Sequence, residues 1–411
     1  MGWGMGFFKR TVRDVPIDNK TVLVRADYNV PQGKSGEISD DLRIRASLPT
    51  LEYLLDHHCK VVVMSHLGRP EGREEKFSLK PVARRLSELL GRNVIFVDDC
   101  IGDKVVQAVK KAPKNSIILL ENLRFYKEEE ANDSVFAEKI AKSTSARYFV
   151  QDGFGVVHRA HASTEAITHF IPSVSGLLLE REYVTITNAM EKPQRPLIAV
   201  MGGAKISDKI TVVERFVDIA DTIIIGGAMS NTFLKYKGHH MGKSMVEDGQ
   251  EKVLDSIYLA AHEKLDTSID DFIILPDDVA VATEISETAK RRNVKLGDLN
   301  ADDIALDIGD VSIDRMVEEI SKAKTVIWNG TLGYAELPEF AHGSARLALS
   351  LATQTDTTSI IGGGDTADFV LKWDGKGGES FTHVSTGGGA SLELMAGKKL
   401  PGIESLLDAP R

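Results

Sequence analysis

The chain has 411 residues, 42% hydrophobic and 27% charged, a composition that excludes a wholly disordered protein and leaves room for about two or three domains. Its 50 Lys and Arg against 60 Asp and Glu leave a net charge of −10, which excludes the global basic field of a dedicated nucleic-acid binder but permits a local basic pocket. The 2 cysteines, Cys59 and Cys100, are too few for a disulfide framework and read as small hydrophobes in a reducing compartment. No run approaches the ~20 apolar residues of a membrane helix. The apolar opening precedes Lys9 and Arg10 instead of following them and lacks a small-residue cleavage site, and position 6 is Gly where a myristoylation signal carries Ser or Thr. A cytoplasmic globular protein is expected, without a signal peptide.

Along the first half, short β-branched runs predict strands at 21–25, 60–65, 94–97, 116–121 and 147–151. Between them, Leu48, Leu51 and Leu55 share one helical face, and Val82, Leu86 and Leu89 another. Pro49 lies inside the first of these patterns and is expected to kink the helix or to mark its start. Residues 177–190 read as a helix that Glu191-Lys192-Pro193-Gln194-Arg195-Pro196 stops. The second half repeats the scheme, with strands at 196–201, 222–225, 271–275, 325–328, 359–361 and 382–385. Helices fit 207–217, 250–263, 313–323, 344–353 and 390–395. Such alternation predicts an α/β protein with two doubly wound parallel-sheet (Rossmann-like) domains joined by a helix and hinge. The expected boundaries are 1–178, a connecting helix and hinge at 179–195, a second domain at 196–395 and a tail at 396–411.

Ligands of open parallel sheets bind beyond the carboxyl ends of the strands. In the first half those ends lead into Asp27 and Asn29, His66 and Arg69, Arg124, and Arg159 with His161. Arg43 opens the helix after the first loop, and Arg25 closes the first strand. One arginine at such a place reads as a surface ion pair. Five of them, Arg25, Arg43, Arg69, Arg124 and Arg159, at strand ends of an acidic chain predict a site for a small multivalent anion. His158 and His161 also stand at the spacing of a metal pair, but no third ligand lies near them in sequence.

In the second half, Gly202-Gly203-Ala204-Lys205 runs to Lys209 after a predicted strand, where two lysines about one helical turn apart can reach a phosphate. Gly362-Gly363-Gly364-Asp365-Thr366 and Ser385-Thr386-Gly387-Gly388-Gly389 also join strands to helices. A single glycine-rich turn is usually only a tight connection. Three in one sheet, one with two lysines and one with a carboxylate suited to Mg²⁺, favour a nucleotide site. Residues 238–244 approximate a phosphate loop but are one residue short, and 153–158 break the dinucleotide fingerprint at its last glycine.

The pieces RADYNVP, SHLGRP, ENLRF and HRAH, followed by GGAKISDK, WNG, GGGDT and STGGGASLEL, occur in an order that resembles the phosphoglycerate kinase family from about residue 15 to 406. The resemblance implies a monomeric enzyme that exchanges a phosphoryl group between 1,3-bisphosphoglycerate and ADP, giving 3-phosphoglycerate and ATP with Mg²⁺, and needing neither nucleic acid nor membrane. Carried over by motif, Asp27, Asn29, Arg43, His66, Arg69, Arg124 and Arg159 would hold 3-phosphoglycerate. Lys205 and Lys209 would face the nucleotide phosphates and Glu336 the ribose, while Gly363, Gly364, Asp365 and Thr366 would hold phosphates and metal. Arg43, Lys205 and Gly387, Gly388 and Gly389 would line the transfer path. The chain has Gln151 and Gly153 where the family commonly has Asn and Ala, Thr331 where it has Pro, and Ala305 where it has Gly. The last two bear on the shape of the base pocket. No Ser/His/Asp or Cys/His triad is discernible, as expected if the phosphoryl group passes directly between its two substrates.

Overall fold

Runs of four or five Val, Ile and Leu residues are too short for a helix and too apolar for a surface, so they form strands buried on both faces. The structure, a computed structural model, describes residues 6–33, 36–265 and 268–410. The chain divides into two compact units, one reaching to Val184 and resuming at Lys398, the other Thr185–Gly397.

The first unit alternates β1 (Thr21–Arg25), α1 (Leu42–Asp56), β2 (Lys60–Met64), α2 (Lys80–Leu90), β3 (Val94–Val97), α3 (Asp103–Lys111), β4 (Ile117–Leu120), α4 (Ser134–Thr144), β5 (Tyr148–Gln151) and β6 (Ser173–Ser175). The strands form one six-stranded sheet in the order β3-β4-β2-β1-β5-β6, every pairing parallel. Successive strand residues face opposite ways. Val22, Val24, Val61 and Val63 therefore pack with Leu51 and Leu54 of α1 and Val82 and Leu86 of α2. Leu23, Val62, Ile118 and Phe149 pack on the other side with Val105 of α3 and Phe136 and Ile140 of α4. Helix α1 runs through Pro49 without ending there. Residues from Lys398 onward complete this unit. The Gly402 amide donates to the Val157 carbonyl at 2.9 Å, and Lys9 Nζ donates to the carbonyls of Glu404 and Leu406 at 2.7 and 2.9 Å.

Helix α5 (Leu177–Glu191) starts in the first unit and ends in the second. There follow β7 (Leu197–Met201), α6 (Ile210–Ile219), β8 (Thr222–Ile225), α7 (Gly227–Tyr236), α8 (Glu251–Lys264), α9 (Ile269–Phe272), β9 (Ile273–Ile274), β10 (Asp278–Ala282), β11 (Arg292–Lys295), β12 (Ile304–Ile308), α10 (Asp310–Ser321), β13 (Thr325–Asn329), α11 (His342–Thr353), β14 (Thr358–Gly362), α12 (Gly364–Asp374), β15 (His383–Val384) and α13 (Gly389–Met395). A second parallel six-stranded sheet has the order β15-β14-β13-β7-β8-β9. The predicted strand at 271–275 is instead the single turn of α9 followed by the two-residue β9. A small antiparallel sheet, β11-β10-β12, is present in addition to the strands expected from sequence.

In each large sheet the chain reverses its direction of winding once: between β1 and β5, and between β7 and β13. The crevice at such a switch point is where ligands of this architecture bind. Among the described residues no helix is long and apolar enough to cross a membrane.

Candidate active site

In the first unit, the switch point is lined by the loops after β1, β2, β4 and β5. Arg43 is the second residue of α1, and its guanidinium donates to Asp27 Oδ2 at 2.8 Å. Asp27 Oδ1 accepts from the Asn29 amide at 3.1 Å, and Asn29 Oδ1 accepts from the Gly68 amide at 2.8 Å, tying the loop after β1 to the loop after β2. Arg124 donates to the Gly68 carbonyl at 2.6 Å and pairs with Glu130 at 3.2 Å. Its Nε is buried without a hydrogen-bond partner. Arg69 and Arg159 are exposed.

Arg25 departs from the expected edge cluster. It is 1% exposed, donates through Nε to Ser163 Oγ at 2.7 Å and lies 3.9 Å from the buried Glu129, to which Ser163 also donates. Burial depresses its pKa against the pull of Glu129, and burial raises that of Glu129 against the pull of Arg25. Arg25 thus braces the site from within. Its Nη1 donates to the Ala26 carbonyl, and its Nη2 lies 3.2 Å from His66 Nδ1.

Burial holds the His66 imidazole well below its ordinary pKa, against the opposing pull of Asp27, and burial also lowers His161, to about 4. Both histidines are therefore neutral near pH 7. Burial pushes Asp27 upward, but the guanidinium groups of Arg43 and Arg25 and the Asn29 amide help to outweigh it and keep the carboxyl below its usual range. The result is a fixed carboxylate, neutral donors and several guanidinium groups around one sheet edge, a setting for a carboxylate or phosphate.

In the second unit, α6 begins at Ile210, so Lys205 and Lys209 lie on the turn before it and not on one helical face. Lys205 is exposed. Lys209 Nζ donates to the carbonyls of Gly202 and Asn329 at 2.7 and 3.3 Å, across the switch point from β7 to β13. Burial lowers its pKa to about 8, against the pull of Asp365 and Asp208. Gly363 has φ +91°, a conformation that favours glycine, and turns the chain from β14 directly into α12. Gly364 and Asp365 are exposed in the first turn of α12, whereas Thr366 is 1% exposed and its Oγ1 accepts from the Gly330 amide at 2.7 Å. The Gly387 amide donates to Ser385 Oγ at 3.0 Å, and Gly388 and Gly389 open α13. Glu336 is exposed on the segment after β13.

Asn329, the middle residue of the WNG piece, is given no role by the resemblance. It is 2% exposed at the end of β13, and its Nδ2, buried without a hydrogen-bond partner, faces the backbone of Gly362 and Gly363. Besides that piece, its signal is positional: it is the last residue of a strand at the switch point. Among the described residues no group of three His, Cys, Asp or Glu side chains could hold a metal ion. The exposed carboxylate of Asp365, in the first turn of α12, is a hard oxygen donor of the kind that could serve a Mg²⁺.

A protein-family model described as Phosphoglycerate kinase matches residues 12–398. The chain belongs to the phosphoglycerate kinase family. It is 46% identical over 403 residues to the phosphoglycerate kinase of Dictyoglomus turgidum, covering 97% of this chain and 99% of the relative. It is 45% identical over 402 residues to that of Moorella thermoacetica, with the same coverage of 97% and 99%. Among solved structures, phosphoglycerate kinase from Coxiella burnetii aligns with a TM-score of 0.82 at 36% identity, covering 97% of this chain and 98% of that one. The Pyrococcus horikoshii phosphoglycerate kinase gives a TM-score of 0.82 at 32% identity with the same coverage of 97% and 98%. A phosphoglycerate kinase needs one place for a small polyanion and one for a nucleotide. One switch point carries the arginine set, the other the lysines and glycine-rich turns.

Proposed function

We infer that the chain transfers a phosphoryl group reversibly between 1,3-bisphosphoglycerate and ADP, giving 3-phosphoglycerate and ATP. The observation that carries this reading is the match to the family from residue 12 to 398, which spans both the arginine set and the lysine–glycine set. In the ATP-forming direction an oxygen of the ADP β-phosphate attacks the acyl phosphorus. The bond between phosphorus and the acyl oxygen breaks, and its electron pair stays on the carboxylate of 3-phosphoglycerate. The acyl phosphate is already activated and the attacking oxygen already ionised, so no protein nucleophile or general base is required.

The work left to the protein is positioning and charge stabilisation. Asp27, Asn29, His66, Arg69, Arg124 and Arg159 would orient 3-phosphoglycerate. Arg43 and Lys205, with the turn Gly387, Gly388 and Gly389, would meet the charge spread over the transferring oxygens; the Gly387 amide would first have to leave Ser385 Oγ. Lys209, Gly363, Gly364, Asp365 and Thr366 would hold the nucleotide phosphates, and Glu336 the ribose. Mg²⁺, held by Asp365 and the phosphates, would neutralise phosphate charge when bound. Because the two residue sets belong to separate units, transfer also requires the units to close on their ligands around a hinge near residues 177–196. A cytoplasmic, monomeric enzyme is the setting this reading implies.

Purified protein supplied with 1,3-bisphosphoglycerate, ADP and Mg²⁺ should form ATP in a luciferase-coupled assay. Absence of ATP formation by folded, ligand-binding protein would overturn the reading.

A further inference from the structure

The segment 333–343 carries Glu336 but has little regular structure of its own: turns, one 3₁₀ turn at Pro338–Phe340, then the start of α11. What holds it is Asp307, inside β12. Asp307 Oδ2 accepts from the Gly343 amide at 3.1 Å and from an Arg291 guanidinium nitrogen at 2.9 Å, while Oδ1 accepts from the Ile308 amide at 2.9 Å. At the other end of the segment, Gly333 lies so close that a Cβ there would stand 2.5 Å from Asp307 Oδ1 and 2.4 Å from the Phe340 carbonyl oxygen. The Tyr334 amide donates to the Leu306 carbonyl at 2.7 Å, next to Asp307 in the strand. Arg291 also reaches the middle of the segment, donating to the Glu339 carbonyl at 3.5 Å, and it is held in turn by the Ile308 carbonyl at 3.1 Å and Asp310 at 3.0 Å. The side chains of Arg291 and Asp307 are 7% and 0% exposed.

A buried carboxylate is costly unless it is paired and hydrogen-bonded, and this one is bonded to Arg291 and to one end of the loop at Gly343, with Gly333 at the other end packed against it. We propose that Arg291 and Asp307 are positioning residues for the nucleotide: the pair fixes segment 333–343 and thereby sets where Glu336 meets the ribose. The proposal rests on the functional reading above and extends it to two residues to which the family resemblance assigns no role.

The test is ADP affinity by calorimetry, with 3-phosphoglycerate affinity measured on the same samples. In Arg291→Met, ADP binding should weaken about tenfold, the value of one well-placed hydrogen bond, with 3-phosphoglycerate affinity within about twofold of wild type. In steady state the loss should appear in the KM for ADP more than in kcat. Arg291→Lys should recover part of it, since an ammonium can pair with Asp307 but cannot also span to Ile308 and Glu339. Arg291→Met leaves Asp307 unpaired and could fail to fold. Two further variants guard against this: Arg291→Met/Asp307→Asn, which removes both charges, and Gly333→Ala, which keeps both charges but forces the segment away from Asp307 and the Phe340 carbonyl. Both should show the same selective loss. Wild-type ADP affinity in these two, or an equal loss for both ligands, would overturn the proposal. A wild-type chain that binds no ADP would overturn the functional reading itself and the proposal with it.

Discussion

His66 Nδ1 lies 3.2 Å from the Arg25 guanidinium and must accept from it, because an arginine side chain can only donate. The proton of the neutral imidazole therefore sits on Nε2, which makes His66 a donor for an anion across the working pH range. Nitrogen-15 NMR should show the Nε2–H tautomer and no titration of this ring between about pH 6 and 8. A ring that titrates near its ordinary value would refute the assignment.

Arg25 and Arg43 should separate cleanly on substitution. Arg25→Met strands Glu129, which is 0% exposed, and should cost about 3–5 kcal/mol in urea unfolding. A loss below about 1 kcal/mol would show that Glu129 finds another partner or a proton.

Arg43 is partly exposed and bonded to one side chain, Asp27, so it is free to serve the transferring group. Arg43→Ala should lower kcat by about 10²–10³ with a smaller effect on stability, in line with the loss of other charge-stabilising donors. A raised KM at unchanged kcat would mean that the residue only binds substrate.

Asp365→Ala should weaken Mg-nucleotide binding in calorimetry while 3-phosphoglycerate binding stays close to wild type. Equal losses for the two ligands would argue against a local metal role.

Asp152 supplies a pH test. Its carboxyl, at the end of β5, accepts from Thr50 Oγ1 at 2.8 Å and from the Leu178 amide at 3.0 Å, the latter in the first turn of α5. Burial raises its pKa to about 7, against those hydrogen bonds. The folded chain keeps a proton that the unfolded chain has lost above its ordinary pKa of about 3.9, so stability falls as pH rises through that window and levels off above about 7. Asp152→Asn should lack this decline, which amounts to at most about 1.4 kcal/mol per pH unit. Parallel stability-versus-pH curves for the two proteins would contradict it.

The separation of the two residue sets predicts closure. Solution scattering should give a smaller radius of gyration with both substrates bound than with either alone. An unchanged radius in saturated, active enzyme would count against a hinge mechanism.

Most strands of the two large sheets were legible because residues such as Val61–Val63 and Ile117–Leu120 are apolar on both faces, a pattern few other structures produce. The small sheet was not, nor was β6 at the edge of the first large sheet. In β11, Arg292-Asn293-Val294-Lys295, only Val294 is buried, and β6 has three residues. The charged candidates were legible as a set but not one by one. A strand-end arginine shows no sign in sequence of whether it turns outward, and Arg25 is drawn inward by Ser163, 138 residues away. Lys209 stands four residues after Lys205, which suggests a helical turn, but its ammonium is instead held on the carbonyls of two strand ends. Arg291 and Asp307 carry no signature, because their importance comes from a loop that returns to them only after folding.

The anchoring of Lys9 on the carbonyls of Glu404 and Leu406 has a consequence for biosynthesis. The unit that contains Lys9 is made of two stretches of chain with the whole of the other unit inserted between them. On the ribosome, Thr185–Gly397 can emerge and fold as an unbroken stretch. The unit that begins first must wait, with Lys9 unanchored and the Val157 carbonyl still without the Gly402 amide, until translation has passed residue 406 and that stretch has cleared the exit tunnel.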